Sequence, residues 1–178
     1  MAEASGVATP RRELMVRVAR AAGAVPAMLA VLDGTGTALP RGDATDLAIL
    51  SAALTLEHHA IALYDEALRA HLLPAGLRAY GVEFRGDHLG HRDTQVALME
   101  ERGGNPPEPL AGYEIARLGA GDAVLRALLE IESAAERAYL ALISQIRTRD
   151  YLLSAAFILV DEVGHQTVWR RALGLSIY

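Results

Sequence analysis

The stretch ILVDEVGH, residues 158–165, decides the fold because it sets Glu162 and His165 into an apolar helical segment. Glu162 and His165 are three residues apart, so a helix presents both on one face, which Ile158 and Trp169 continue. A buried carboxylate without a partner is strongly unfavourable and must be neutralised or paired. The stretch therefore predicts a helix whose buried face holds a polar site.

A second stretch, DHLGH at residues 87–91, repeats this spacing. His88 and His91 are again three residues apart, and they precede Glu162 and His165 by 74 positions. The equal offset indicates that the two helices are equivalent members of an internal repeat.

Single carboxylates interrupt two further apolar stripes of helical periodicity. Glu57 and Glu132 are 75 residues apart, and a tyrosine follows each by seven residues, at Tyr64 and Tyr139. Chance placement of one glutamate is common, whereas chance placement of the whole repeated set is not. The repeat predicts two similar helical hairpins that face each other.

The helical patterns and their breaks predict an all-α, ferritin-like four-helix bundle. The connection within each hairpin is short, whereas a long segment rich in proline and glycine joins the two hairpins. Two antiparallel hairpins joined by one long crossover is the expected connectivity. The predicted helices cover residues of about 43–73, 75–102, 122–147 and 150–173.

Four helices that each place carboxylates or imidazoles at mid-length bring them together in one layer. A pair of divalent metal ions is a compact way to compensate three buried carboxylates, and a proton-shared network without metal is the alternative. The candidate ligands are Glu57, His88, His91, Glu132, Glu162 and His165.

Over roughly residues 44–173, this pattern resembles the ferritin-like superfamily, which includes rubrerythrins, bacterioferritins and manganese catalases. The resemblance implies one carboxylate each from the first and third helices, here Glu57 and Glu132, and a Glu-x-x-His pair from the fourth. His91 matches the histidine of the second helix. His88 departs from the pattern, which has glutamate at that position. Within the superfamily, the chain resembles bacterial ferritin-like proteins with export signals.

The histidine at position 88 lowers the negative charge of the ligand set. Three carboxylates and three imidazoles carry one charge less than the family set, unless Asp87 turns inward to supply a fourth carboxylate. More nitrogen ligands also widen the choice of metal. We expect two divalent ions per chain, with iron or manganese favoured over zinc.

Other polar residues near the ligand positions are expected to support them. The tyrosine hydroxyls should bond the carboxylates. Glu136 is an alternative ligand, one turn after Glu132, and His58 and His59 are typical of the surface or of an interface, which leaves a homodimer open. The expected supporting residues are Tyr64, Tyr139, His58, Asp87 and Glu136.

Composition excludes several other classes of function. The net charge is −5, and no basic stripe with interleaved aromatic residues is present, which argues against nucleic-acid binding. The chain has no cysteine, so thiolate metal sites and disulfides are excluded. No uninterrupted apolar run reaches the ~18–20 residues of a membrane span.

The first 42 residues form a separate segment ahead of the bundle at 43–178. Arg11 and Arg12 precede an apolar stretch at 21–32 and small residues at 34–38, which resembles a twin-arginine export signal. A short amphipathic helix that covers the bundle is the alternative. The protein is therefore expected to be either exported or cytoplasmic.

Three functions are compatible with this sequence. A di-iron or di-manganese oxidoreductase would act on O₂, peroxide or a small substrate. A non-catalytic metal-binding, storage or stress-protective protein would hold the same ions without turnover. A structural bundle would use its polar layer to fix the helix register.

Overall fold

The computed structural model describes residues 43–113 and 118–177, and these residues form four α-helices. The predicted N-terminal segment, with its export motif, lies outside the described residues. The helices are α1 (Asp43–Arg69), α2 (Arg78–Glu101), α3 (Asp122–Ile143) and α4 (Arg149–Ala172).

The helix ends differ from the predicted ones by a few residues, for local reasons. Helix α1 stops at Arg69 because the chain turns at His71, which has a φ of 52°, before it reaches Pro74. A short 3₁₀ helix, Ala75–Leu77, then leads into α2. Gly103 ends α2 with a φ of 70°, a conformation that suits glycine.

The crossover between α2 and α3 runs the length of the bundle. It begins at Gly104, where an added Cβ would lie 2.8 Å from Leu47 near the start of α1. It ends at Gly121, whose backbone N–H donates to the Leu72 carbonyl beyond the end of α1 at 3.3 Å. Helix α3 therefore runs parallel to α2 and antiparallel to α1, which confirms two hairpins joined by one long crossover.

The start of α4 is fixed by a side chain from α1. The buried carboxylate of Asp46 accepts hydrogen bonds from the backbone N–H groups of Arg147 and Thr148, the latter at 2.7 Å. These groups lie at the N-terminus of α4, where backbone donors lack partners within the helix. This bond joins the two hairpins at one end of the bundle.

The apolar core lies in two parts, one on each side of the polar layer. One part includes Leu50, Leu54, Met99, Leu142 and Ile158, together with other residues near the start of α1. The other part surrounds Trp169 and includes Leu63, Phe84, Val124 and Leu128. The polar residues at mid-length are thus enclosed by apolar side chains above and below.

Helix α1 is more apolar than the search for uninterrupted apolar runs indicated. By length and composition, Asp46–Arg69 is the one helix among the described residues that could cross a membrane, and 56% of its most apolar window is buried inside the bundle. A core helix of a soluble bundle commonly has such a composition.

Candidate metal centre

The six candidate ligands meet in one buried layer. Each occupies the inward face of its helix at mid-length, where the helical period continues the apolar stripe. His91 is 7% exposed, and the other five are at most 3% exposed. The six residues, named the six-residue cluster below, are Glu57, His88, His91, Glu132, Glu162 and His165.

His88 lies at the centre of the six-residue cluster. Its Nδ1 is 2.8 Å from an oxygen of Glu57, and its Nε2 is 3.4 Å from an oxygen of Glu132. The Nδ1 of His165 lies 3.3 Å from the other oxygen of Glu132. One imidazole therefore contacts the carboxylates of both hairpins.

The cluster divides into two overlapping groups of four, each with ligand atoms within 4.8 Å of one another. One group adds Glu57 and His91 to the shared residues, and the other adds Glu132 and His165. The residues shared by both groups are His88 and Glu162. Each hairpin thus contributes to both groups.

Glu162 has no hydrogen-bond partner among the described residues. Both of its oxygens are buried and unpartnered, and so is Nδ1 of His91, which lies 3.5 Å from the nearer Glu162 oxygen. Buried polar atoms in folded proteins are almost always bonded, so unpartnered ones require an explanation. These atoms converge within the cluster, where a cation would satisfy all of them.

Hydrogen bonds and nearby imidazoles lower the pKa values of two of the buried carboxylates. Burial opposes the ionisation of Glu57, but the hydrogen bond with His88 and the nearby imidazole of His91 outweigh it and lower the pKa of Glu57 to about 2. Burial likewise opposes ionisation of Glu132, and bonds from His165 and His88 hold its pKa well below its ordinary value. These two carboxylates are therefore ionised.

The remaining groups shift in the opposite direction. Burial and the charge of Glu132 raise the pKa of Glu162 well above its ordinary value. Burial favours neutral His88, but bonds to Glu132 and Glu57 outweigh it and raise the pKa of His88. A metal ion bound by these ligands would replace protons, because ligation requires the ionised carboxylate and the neutral imidazole.

Two aspartates hold the outer edges of the histidine rings. Nε2 of His91 lies 3.1 Å from an oxygen of Asp161, and Nε2 of His165 lies 3.1 Å from an oxygen of Asp87. A carboxylate at one ring nitrogen fixes the tautomer and leaves the other nitrogen free to ligate. In both rings, Nδ1 is the nitrogen that faces the cluster.

The two tyrosines bond the carboxylates across the hairpins. Tyr64 donates its hydroxyl proton to Glu132, and the hydroxyl of Tyr139 donates to Glu57. Burial, followed by the charge of the bonded glutamate, raises the pKa of each tyrosine well above its ordinary value, so both remain protonated donors.

A further donor supports each tyrosine. The indole N–H of Trp169 donates to the Tyr64 hydroxyl at 2.9 Å, and the Gln95 amide donates to the Tyr139 hydroxyl at 2.5 Å. Trp169 is therefore part of the hydrogen-bond network as well as of the core, whereas the sequence indicated packing alone.

The structure places three of the neighbouring polar residues outside the ligand positions. Asp87 does not turn inward as a fourth carboxylate, since it bonds the outer nitrogen of His165. Glu136 accepts from the Gln166 amide at 2.7 Å, because its side chain leaves the inward face towards α4. His58 lies 3.1 Å from the Pro107 carbonyl beneath the crossover, and no contact among the described residues joins it to the cluster.

Sequence reasoning missed Asp161. Its carboxylate is half exposed and looks like an ordinary surface group in sequence. The internal repeat contained the signal, because Asp161 follows Asp87 by 74 residues, the offset that relates His165 to His91.

Comparison with known proteins agrees with this geometry. The model of the ferritin-like domain family matches residues 45–175. The crystal structure of a conserved hypothetical protein from Mycobacterium tuberculosis has the same fold, with a TM-score of 0.68 and 24% identity, over 74% of this chain and 98% of that one. No curated protein matches the chain in sequence. Because the family model covers well over half of its length, this chain belongs to the ferritin-like domain family.

Proposed function

We propose that the six-residue cluster is a two-metal site and that the protein is a ferritin-like oxidoreductase acting on O₂ or peroxide. The observation that supports this most directly is the buried, unpartnered carboxylate of Glu162, which both ligand groups share. A carboxylate has two oxygens and can contact one ion with each. A buried carboxyl group without a hydrogen bond among the described residues is costly, and a metal ion at this position would compensate that cost.

The donor chemistry fits iron or manganese. Three carboxylates and three imidazoles offer oxygen and nitrogen ligands of the type that both metals accept, and zinc is also compatible. With the glutamates ionised and the imidazoles neutral, the ligands carry a charge of −3 against +4 for two divalent ions. The layer lies between two apolar cores, so this near balance of charge matters for its stability.

A redox-active metal pair would supply electron exchange with O₂ or peroxide at positions that the protein leaves open. The chain's own residues would orient the ligands. Asp161 and Asp87 hold His91 and His165 by their outer nitrogens, and the two tyrosine hydroxyls bind oxygens of Glu132 and Glu57. Tyr64 and Tyr139 keep their protons and act as fixed donors rather than as bases.

Metal binding can be tested without any assay of turnover. Metal-free protein should take up to two Fe(II) or Mn(II) ions per chain by elemental analysis, and its melting temperature should rise because the ions bind the folded state. Glu162→Gln should abolish both effects, whereas Glu136→Gln, a glutamate beside the cluster, should leave them intact. Equal melting temperatures with and without metal would refute the metal site.

The catalytic part of the proposal needs a separate test. Iron- or manganese-loaded protein should consume peroxide repeatedly, whereas the zinc-loaded protein, which has the same ligands and no redox change, should not. Stoichiometric metal uptake without turnover would refute the oxidoreductase and support a metal-storage or metal-binding protein.

A further inference from the structure

Helix α4 carries an apolar stripe on the side that faces away from the cluster. Leu153 is 43% exposed, Phe157 is 72% exposed and Val160 is 68% exposed. Steps of four and three residues place these side chains on one side of the helix, and the exposed Gly164 continues the row. A helix side in contact with water is usually polar, so a row of exposed large apolar residues indicates a covered surface.

The composition of α4 supports this interpretation. Between Asp150 and Arg170, the helix has only three acidic or basic residues, Asp161, Glu162 and His165. Glu162 and His165 are buried in the cluster, and Asp161 lies against His91. The middle of the helix therefore has a single charged group in contact with water, the half-exposed carboxylate of Asp161.

The two ends of the row carry opposite charges. Continuing in the same steps, the row begins at Asp150 and ends at Arg171, and both are exposed. We name the α4 stripe as Asp150, Leu153, Phe157, Val160, Gly164 and Arg171. A second copy of the stripe laid antiparallel would set Asp150 against the second copy's Arg171, and this pair would occur twice.

The register that pairs these charges also matches large against small residues. It sets Phe157 opposite the second copy's Gly164 and leaves Val160 beside the two-fold axis. A Cβ added at Gly164 would meet nothing within 4 Å, so the space above this glycine is open to an aromatic ring from outside. One register thus satisfies shape and charge together over about 30 Å of helix.

We propose that the chain forms an antiparallel homodimer through the α4 stripe, with Phe157 as the central anchor. The proposal rests on the outer side of α4 alone and does not depend on the metal site. The interface is isologous, because each copy supplies both members of each pair. These pairs are Phe157 with Gly164 and Asp150 with Arg171.

The first test is the mass of the full chain in solution. Sedimentation velocity should give twice the chain mass of 19.0 kDa. Phe157→Glu should weaken the dimer by about 30-fold or more, as for loss of a central anchor residue. Leu110→Glu, at an exposed leucine in the crossover, should leave the dimer intact. A monomeric parent protein, or a Phe157→Glu dimer as tight as the parent, would overturn the proposal.

The register has its own test. Asp150→Arg should weaken the dimer, and adding Arg171→Asp should restore it, since the pair is then reversed. The chain has no cysteine, so Val160→Cys introduces one thiol per copy beside the axis. Mild oxidation should cross-link Val160→Cys and not Leu110→Cys. Failure of the reversed pair to recover, or equal cross-linking of both cysteine variants, would show that the copies do not meet in this way.

Discussion

The α1–α2 and α3–α4 hairpins contribute equivalent residues to the cluster, and the hydrogen bonds of these residues run from one hairpin to the other. Each hairpin's tyrosine donates to the other hairpin's glutamate. Each hairpin's aspartate bonds the other hairpin's histidine, Asp87 to His165 and Asp161 to His91. Since none of these bonds can form within one hairpin, the shared residues hold the two halves together.

Two of the differences between the hairpins lie in the cluster and its hydrogen-bond network. His88 in α2 stands where α4 has Glu162, and Gln95 stands where α4 has Trp169. The first difference changes the charge at the centre of the cluster by removing one carboxylate. The shared residues thus define the shape of the site, whereas the unshared ones define its charge.

The outward sides of the hairpins differ as well. On α2, the positions equivalent to Phe157 and Val160 by the offset of 74 are the exposed Glu83 and Gly86. On α4, the equivalent region exposes Phe157 and Val160. The repeat therefore reproduces the interior of the bundle and leaves each exterior free to differ.

The largest effect on metal binding is expected when the residues at positions 88 and 162 are exchanged. Glu162→His leaves two carboxylates for two ions and should weaken metal binding by more than ~100-fold, since loss of a group that merely orients a ligand already costs ~10–100-fold. Adding His88→Glu returns the carboxylate to the equivalent position in α2. Metal titration of the double variant should recover most of the affinity, and recovery would fail if the halves were not equivalent.

His88→Glu alone tests the charge of the site. One more negative charge in a buried layer favours the higher oxidation state, so Fe(II)-loaded His88→Glu should oxidise faster in air than the parent. The growth of near-ultraviolet absorption follows this reaction. Equal oxidation rates would place His88 away from the metal.

The next largest effect on metal affinity is expected from replacing Asp87 or Asp161. Asp87→Asn and Asp161→Asn each remove the carboxylate from one histidine ring, and each should lower metal affinity by ~10–100-fold. The two losses should be similar because both oxygen–nitrogen distances are 3.1 Å. Asp93→Asn, an exposed aspartate on α2, is the control and should bind metal as the parent does.

A smaller effect, on the free energy of unfolding, is expected from replacing Tyr64 or Tyr139. Tyr64→Phe removes one hydrogen bond from Glu132 and leaves the Trp169 indole without its acceptor. Tyr139→Phe removes one hydrogen bond from Glu57 and leaves the Gln95 amide without its acceptor. Each should cost about 1–3 kcal/mol of unfolding free energy, the range for an unsatisfied buried polar group. Chemical denaturation of the metal-free variants measures this loss.

Fluorescence separates the tyrosine variants further. Trp169 is the single tryptophan of the chain and is completely buried. Its emission should shift in Tyr64→Phe, which removes its hydrogen-bond acceptor, and remain that of the parent in Tyr139→Phe. A shift in both would mean that the two networks are coupled through the cluster.

The smallest effect concerns pH and the opposite shifts of Glu57 and Glu162. The lowered pKa of Glu57 stabilises the metal-free fold above about pH 4.5, and this contribution is lost as the pH falls towards 2. The raised pKa of His88 stabilises the metal-free fold below pH 6.5. This contribution is lost as the pH rises through the pKa that His88 has in the folded protein. The raised pKa of Glu162 destabilises the metal-free fold above about pH 4.5, because the buried carboxyl group resists ionisation.

Metal-free protein should therefore be most stable in mildly acidic solution, whereas metal binding requires deprotonated ligands and strengthens as the pH rises. The increase of melting temperature on metal addition should be larger at about pH 8 than at about pH 5.5. An increase that does not change with pH would show that no ligand exchanges a proton for metal.

The sequence alone determined the fold and the inward residues of the site. Steps of three and four residues fix which side chains share a helix face, whatever the helix packs against. The short and long connections then left one arrangement of hairpins, and the repeat matched Glu57 to Glu132 and His91 to His165. These features are local or periodic, and a linear pattern records them directly.

Only the tertiary structure decided which partner each polar group meets. The rotation and shift of neighbouring helices decide these contacts. They bring Asp161 to His91, Glu136 to Gln166 and His58 to the carbonyl of Pro107 in the crossover. Residues such as Asp161 stand at the edge of a helix face, where a small rotation turns a surface carboxylate into a partner of a buried imidazole. Because that rotation results from packing along all four helices, no single helix's sequence contains it.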